Sequence, residues 1–482
     1  MRILFVSSEC VPFAKAGGLG DVVGALPKAL HALGHDVRVL LPRYGFIPHH
    51  EMSQLPAPLG VPLGAGEAWC GVWQSHLPNS EVPVYFLDHQ GYFGGAEIYE
   101  KGPGAPHDAA RFGLLSRGAF QLSRYLGWIP DVMHVHDWPS AWVPLLLNGP
   151  ESGGEFAQTA SVLTIHNMAH QPKFAREALA QVGIPEHEFR ADSIEDFGRV
   201  NPFKGGCYHA TMVTTVSPRY AYEIRTEDGG AGLHQVMDHR GADLVGILNG
   251  IDEDVWDPRT DRYLPAHFSA EDLSGKAVCK QWLQQEMGLD VRPEVPLFGV
   301  VSRLSHQKGL DVIIEVIDRL LAMDAQIVML GSGDPVLEAT LRSRSAWADG
   351  RFAAVVGYNE ALAHQIEAGS DFFLMPSRFE PCGLNQLYSQ RYGTLPIVRA
   401  VGGLDDTVQQ YDATTGEGTG FKLWELSADA LVDTVAWALS VMREQPQRFA
   451  EMQRRAMLKP CGWDVAAKSY VDVYRWSLDR VR

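Results

Sequence analysis

The residues of this chain that could do chemistry sit in short polar stretches, most of them directly behind an apolar run. The stretch "SRLSHQKGLD" sets Arg303 and Lys308 five residues apart, ahead of a helical segment entered at Gly309. Two cations beside a helix N-terminus suit a diphosphate, although the same pair also fits a solvated surface. The stretch "SRFEPCGLNQLYSQRYG" places Glu380 just before Gly383 and Leu384, whose amides could cap a phosphate at a helix start. A carboxylate there does not serve phosphate, because like charges repel. Glu380 therefore suits sugar hydroxyls or a developing cation, or else it merely caps the helix. Further on, "AVGGLDDTV" adds a glycine turn at Gly402 and Gly403.

Near the N-terminus, "KAGGLGDVVGAL" (residues 15–26) combines Lys15, four glycines and Asp21. It fits neither common phosphate fingerprint. The dinucleotide pattern started at Gly18 and Gly20 needs glycine at Val23, and Gly24 comes one place late. The nucleotide-hydrolase pattern has its lysine after the glycines, not before. The stretch "HVHDWPSAW" gives His134, His136 and Asp137 at the end of an apolar run, an arrangement that invites a metal. No further His, Asp or Glu set of familiar ligand spacing follows it. "TIHNMAH" places His166 in a similar position, where a lone histidine is more often structural than catalytic. There is no G-x-S-x-G elbow and no H-E-x-x-H.

Eleven β-branched runs alternate with helical segments and must position these residues. In the first half they are "ILFV" (3–6), "VRVLL" (37–41), "VPVYFL" (82–87), "VMHV" (132–135), "SVLTI" (161–165) and "MVTTV" (212–216). In the second half they are "LFGVV" (297–301), "QIVML" (326–330), "FAAVV" (352–356), "DFFLM" (371–375) and "LPIV" (395–398). Continuous apolar runs are what strands buried on both faces require, and their alternation with helices predicts parallel sheets. Eleven strands divide naturally into two doubly wound domains. The boundary falls in the polar, proline-bearing segment 249–265. The first domain is longer than a minimal unit and is expected to carry insertions at 56–66 and 91–108. Ligands of open α/β sheets sit beyond the carboxyl ends of the strands, so two such sheets predict a site in the cleft between them.

Bulk properties narrow the partners. The chain has 482 residues, 46% hydrophobic and 21% charged, enough for two large cores. A formal net charge of -17 disfavours nucleic acid and anionic membrane as partners. Six scattered cysteines with no C-x-x-C pair predict free thiols in a reducing cytoplasm, and the first residues do not read as a signal peptide. No apolar run approaches membrane-spanning length.

Taken in order, "KAGGLGD", "HVHDWPSA", "TIHNMAHQ", "ILNGIDEDVWDP", "SRLSHQKGLD", "SRFEPCGLNQLYSQRYGTLPIVRAVGGLDDTV" and "GTGF" resemble the ADP-glucose-using glycogen synthases of bacteria and the starch synthases of plants. The resemblance runs from Arg2 to about Trp476. It implies an α/β fold of the GT-B type, two doubly wound Rossmann-like domains with an interdomain cleft. The acceptor-side domain is then 1–250, joined by the C-terminal helix 460–482, and the donor-side domain is 251–459. It implies a retaining glucosyltransferase that extends an α-1,4-glucan from ADP-glucose during glycogen biosynthesis, in the cytoplasm and without a metal or other cofactor.

Carried over residue by residue, the resemblance gives Arg303 and Lys308 the ADP diphosphate, Gly383 and Leu384 its backbone amides, and Tyr358 the adenine ring. Glu380 and His166 become the catalytic pair at the glucose. Lys15, Gly18, Asp21 and Asn249 reach the sugar or its phosphates, and Glu9, Tyr92 and Asp137 face the acceptor chain. Related retaining transferases often carry a second glutamate eight positions after the first. Here that position is Tyr388, and the ADP-glucose synthases share the departure.

Overall fold

The computed structural model describes residues 1–100, 105–346 and 350–481. They form two compact units, Met1–Gly250 with Trp463–Arg482, and Ile251–Gly462. All eleven apolar runs are strands.

In the first unit the sheet order is Leu244–Gly246, Met212–Thr215, Ala160–Ile165, Val132–His136, Arg2–Val6, Asp36–Pro42, Pro83–Asp88, Gly66–His76 and Ser53–Gln54. The strands run parallel as far as Pro83–Asp88, and the remaining two are antiparallel. Arg2–Val6 has both its neighbours in place through matched registers, Val6 opposite Leu40 on one side and Val135 on the other. The chain leaves this strand toward one edge and later returns toward the other, so the sheet reverses its order beside it. Such a reversal opens a crevice at the carboxyl ends of the strands.

The expected insertion at 56–66 is an antiparallel extension of this sheet, in which Leu59–Leu63 pairs with Gly66–His76. Along the latter strand Ala68, Cys70 and Val72 are buried while Trp69 is exposed. That two-residue period marks a sheet with one face in solvent. The other expected insertion, 91–108, lies partly outside the described residues.

The second unit carries a parallel sheet ordered Phe352–Val356, Gln326–Gly331, Leu297–Val301, Phe372–Met375, Leu395–Arg399 and Phe421–Leu423. Successive residues of one strand feed opposite cores. Ile327 and Met329 pack with Val316 and Leu320 on one face, whereas Val328 and Leu330 pack with Leu362 and Ile366 on the other. The order reverses between Leu297–Val301 and Phe372–Met375.

The segment after Gly250 is bound firmly to this second unit. Trp256 lies stacked between His364 and Tyr388, each ring 3.7 Å away and within 9° of parallel. Buried Asp261 accepts from Tyr392 Oη at 2.6 Å and pairs with His364 Nδ1 at 2.7 Å. Tyr388, the residue at the second-glutamate position, is thus a packing surface for Trp256.

The helix Trp463–Val481 belongs to the first unit. It packs on the helix Gly18–Ala32 and on strands Val132–His136 and Ala160–Ile165. Its Tyr474 hydroxyl lies 2.8 Å from His134 Nδ1 in the sheet. Among the described residues, no helix is long and apolar enough to cross a membrane. All six cysteines are free.

Candidate active site

Both sheets place predicted residues past the carboxyl ends of their strands: Glu9, Asp137, Arg303, Lys308 and Glu380 follow strands that flank a reversal, whereas His166, Asn249 and Tyr358 follow strands further out. In the second unit Leu297–Val301 delivers Arg303 and Lys308, and Phe372–Met375 delivers Glu380. Lys308 Nζ and Glu380 Oε2 are 2.5 Å apart, with both side chains largely buried. Ser377 Oγ donates to the same oxygen at 3.1 Å. Glu380 does not cap a helix, since the following helix is Asn385–Arg391 with Leu384 at its N-cap.

The glycines around the pair are there for close approach. A Cβ on Gly402 would meet the Glu380 carbonyl at 1.9 Å, and one on Gly309 would meet the Pro376 carbonyl at 2.0 Å. Gly309 and Gly383 also have positive φ, 67° and 73°. Arg303 is exposed and has no acidic partner among the described residues. Tyr358 is 84% exposed, so it is no core tyrosine. The second unit therefore offers one unpaired guanidinium, one ammonium with donors to spare and an open aromatic ring.

The first unit is built differently. Glu9 follows the strand Arg2–Val6 and is 3% exposed. Its Oε2 accepts from the amides of Ala16 and Gly17 at 2.6 and 2.8 Å, and its Oε1 accepts from Tyr99 Oη at 2.6 Å. Glu9 thereby holds the glycine loop. Within that loop Gly20 and Gly24 are packed against Ala14 and Val11, where a side chain would crowd the backbone. Gly17 and Gly18 meet nothing within 4 Å and need no unusual φ. Packing explains the first two glycines and leaves the other two open to a ligand. Lys15 Nζ bonds Asp21 Oδ1 at 2.7 Å. Burial raises the Asp21 carboxyl, and Lys15 pulls it back down.

The H-x-H-D stretch acts as a clamp on His166. Asp137 Oδ1 accepts from the His166 amide at 2.7 Å, and His136 Nδ1 lies 3.0 Å from His166 Nε2. Asp137 holds a left-handed φ of 50°, unusual for a residue with a Cβ, and burial pushes its carboxyl up to about 7. Burial pushes His166 down to about 3 and holds His134 and His136 well below the usual imidazole value. Three neutral imidazoles thus line the end of the sheet. Among the described residues no group of three or more His, Cys, Asp or Glu converges as a metal site.

Asn249 is 8% exposed, and its Oδ1 has no hydrogen-bond partner among the described residues. An unpaired buried carbonyl oxygen is costly unless something else fills the position. Tyr92 is half-buried, with its ring against His89 and His107. Sequence reasoning missed Tyr99 and Ser377, the supports of Glu9 and Glu380. Ser377 stands only three residues before its partner, whereas nothing in the sequence links Tyr99 to Glu9.

A family model described as "Starch synthase catalytic domain" matches residues 2–239, and one described as "Glycosyl transferases group 1" matches residues 287–456. The two matches, one over each doubly wound unit, define a glycosyltransferase of the GT-B class. The chain is 49% identical to glycogen synthase 1 of Geobacter metallireducens, over 98% of this chain and 95% of that one. It is 44% identical to the glycogen synthase of Treponema denticola, over 100% and 99%. The catalytic domain of starch synthase IV from Arabidopsis thaliana, solved with ADP and acarbose, superposes with a TM-score of 0.92 at 32% identity, covering 99% of both chains. The chain belongs to the glycogen and starch synthase family.

Proposed function

We propose that the chain transfers glucose from ADP-glucose to the 4-hydroxyl at the non-reducing end of an α-1,4-glucan, with retention of configuration. The observation that carries this reading is the Lys308–Glu380 pair with Arg303 unpaired beside it, at the reversal of the second sheet. Lys308 has three N–H donors and spends one on Glu380, so two are free for phosphate oxygens. Arg303 adds a planar fork suited to the same oxygens. The ADP held by the starch synthase relative supports a nucleoside diphosphate in this family.

The reaction breaks the bond between the anomeric carbon and the β-phosphate oxygen and forms one from that carbon to the acceptor oxygen. The acceptor's proton passes to the departing phosphate oxygen on the same face. Retention by double displacement needs a carboxylate close under the anomeric carbon. Glu380, whose Oε2 is already engaged by Lys308 and Ser377, suits sugar hydroxyls better than attack. Negative charge grows on the leaving diphosphate, where Arg303 and Lys308 act, and each such preorganised donor is worth about 3–4 kcal/mol. On the first unit Lys15, the free amides near Gly18, Asp21, Asn249 and His166 serve the glucose and its phosphates. Tyr92 faces the acceptor, and Glu9 and Asp137 support that side from beneath. Tyr358 stacks on adenine.

The decisive experiment is a donor panel on purified enzyme with glycogen as acceptor. ADP-glucose should give the highest kcat/KM, with an α-linked product. A higher value for UDP-glucose, or transfer only to a sugar phosphate, would sink the reading. With two side-chain cations at the diphosphate, activity should survive EDTA. Loss with recovery on Mg²⁺ would reassign that charge to a metal.

A further inference from the structure

We propose that His136 is a positioning residue that fixes His166 as the neutral Nδ1–H tautomer, so that His166 presents a hydrogen-bond donor at its free ring nitrogen. The proposal rests on the reading of His166 as a residue at the donor sugar.

His136 Nδ1 and His166 Nε2 face each other at 3.0 Å with one proton between them. Both rings are kept neutral by burial. Two arrangements satisfy the contact. In one, His166 donates from Nε2, and His136 carries its own proton on its Nε2. In the other, His136 donates from Nδ1, its Nε2 is bare, and His166 carries its proton on Nδ1. The difference falls on His136 Nε2, which is fully buried and has no hydrogen-bond partner among the described residues. The His136 ring is enclosed by the Phe5 ring, stacked at 5.4 Å, and by His134 at 4.3 Å. Orphaned buried N–H groups are rarer than orphaned acceptors, so the first arrangement pays the larger penalty. The second leaves only a bare nitrogen unpaired.

His134 cannot take that proton. Its Nδ1 and Nε2 are engaged by Tyr474 Oη at 2.8 Å and Thr164 Oγ1 at 2.6 Å. Asp137, next in sequence, holds the His166 backbone amide. One dipeptide at a strand end therefore fixes both the backbone and the ring of the residue beyond the neighbouring strand. His166 Nδ1 has no partner among the described residues and is the nitrogen left to meet the sugar.

Two measurements test this. Nitrogen NMR on protein labelled with ¹⁵N-histidine should show His166 protonated at Nδ1 and bare at Nε2, a result independent of activity. The substitution His136→Phe keeps a ring between Phe5 and His134 and removes the orphaned nitrogen. It should leave Tm at or above the parent value while lowering kcat about tenfold or more, with little change in donor KM. His136→Asn puts an amide donor near the position of Nδ1 and should recover most of the loss. A His166 bare at Nδ1 in the parent protein, or an unchanged kcat in His136→Phe, overturns the proposal. If the parent protein transfers no glucose, the glucosyl-transfer reading falls, and the nitrogen spectrum alone decides the tautomer.

Discussion

The two strand-order reversals are built from opposite materials. At the second, the groups are charged and have bonding capacity to spare: exposed Arg303, and Lys308 with two free donors, while Tyr358 stands in solvent past the edge strand. At the first, most groups are buried and neutral, or are carboxylates already holding backbone amides. Glu9 grips the glycine loop, and Asp137 and His136 grip His166. On the proposed function, the contrast follows from what each side handles. A leaving diphosphate gains charge during the reaction and needs unspent cations. The sugar's hydroxyls, away from the anomeric carbon where positive charge grows, need partners held still, which comes from groups bonded to their own scaffold.

Glu380→Ala probes the charged side and carries the largest expected effect. It should lower kcat by about 10²–10³-fold with a far smaller change in donor affinity, because the Lys308 that it holds, and the sugar beside it, meet charge that grows only in the transition state. An effect confined to KM would demote Glu380 to a binding residue and blur the contrast. Arg303→Ala should cost about 10²-fold in kcat/KM, whereas Lys15→Gln on the first unit should cost about tenfold, since Lys15 already spends a bond on Asp21. Equal losses would break the division between the sides. Tyr358→Ala should raise donor KM by the about 1–3 kcal/mol typical of base stacking and leave kcat intact. A fall in kcat alone would remove Tyr358 from the adenine.

The remaining effects are in stability. His134, His136 and His166 stay neutral in the folded chain and take up protons when it unfolds below about pH 6.5. Each therefore contributes stability that is present above the unfolded value and is lost as pH falls toward the depressed folded value. Between about pH 6 and 4, His136→Phe should lose stability less steeply than the parent, by about 1.4 kcal/mol per pH unit. Identical slopes in denaturant titrations would mean that His136 is charged in the fold. Asp137 acts in reverse: its raised folded value makes stability fall as pH rises from about 4 to about 7, and Asp137→Asn should flatten that branch.

Much of this was readable before any coordinates. A run such as "QIVML" is apolar at every position because both faces of its strand are covered, and that pattern needs no partner to be seen. The strand Gly66–His76 escaped because only alternate residues are buried along its first half and Gly71 interrupts it. Short strands such as Phe421–Leu423 carry too little pattern to register. In the site, residue types and order pointed to Lys308 and Glu380. That they meet is a fact of strand order, since 72 residues separate them. His136 and Asp137 read as ligand-like or acceptor-facing because sequence shows a side chain's chemistry but not what occupies it. Their partner, His166, hangs from the adjacent strand, and only register brings it within reach.

The bond between His134 and Tyr474 spans 340 residues. A ribosome adding about 5–20 residues per second needs roughly 10–40 s to make the second unit. Throughout that time the first sheet stands without the helix Trp463–Val481, and the apolar strip that receives Tyr470 and Tyr474 is uncovered. The first unit is therefore begun first and finished last. During synthesis its open flank is the surface on which a chaperone, or a neighbouring nascent chain, would take hold.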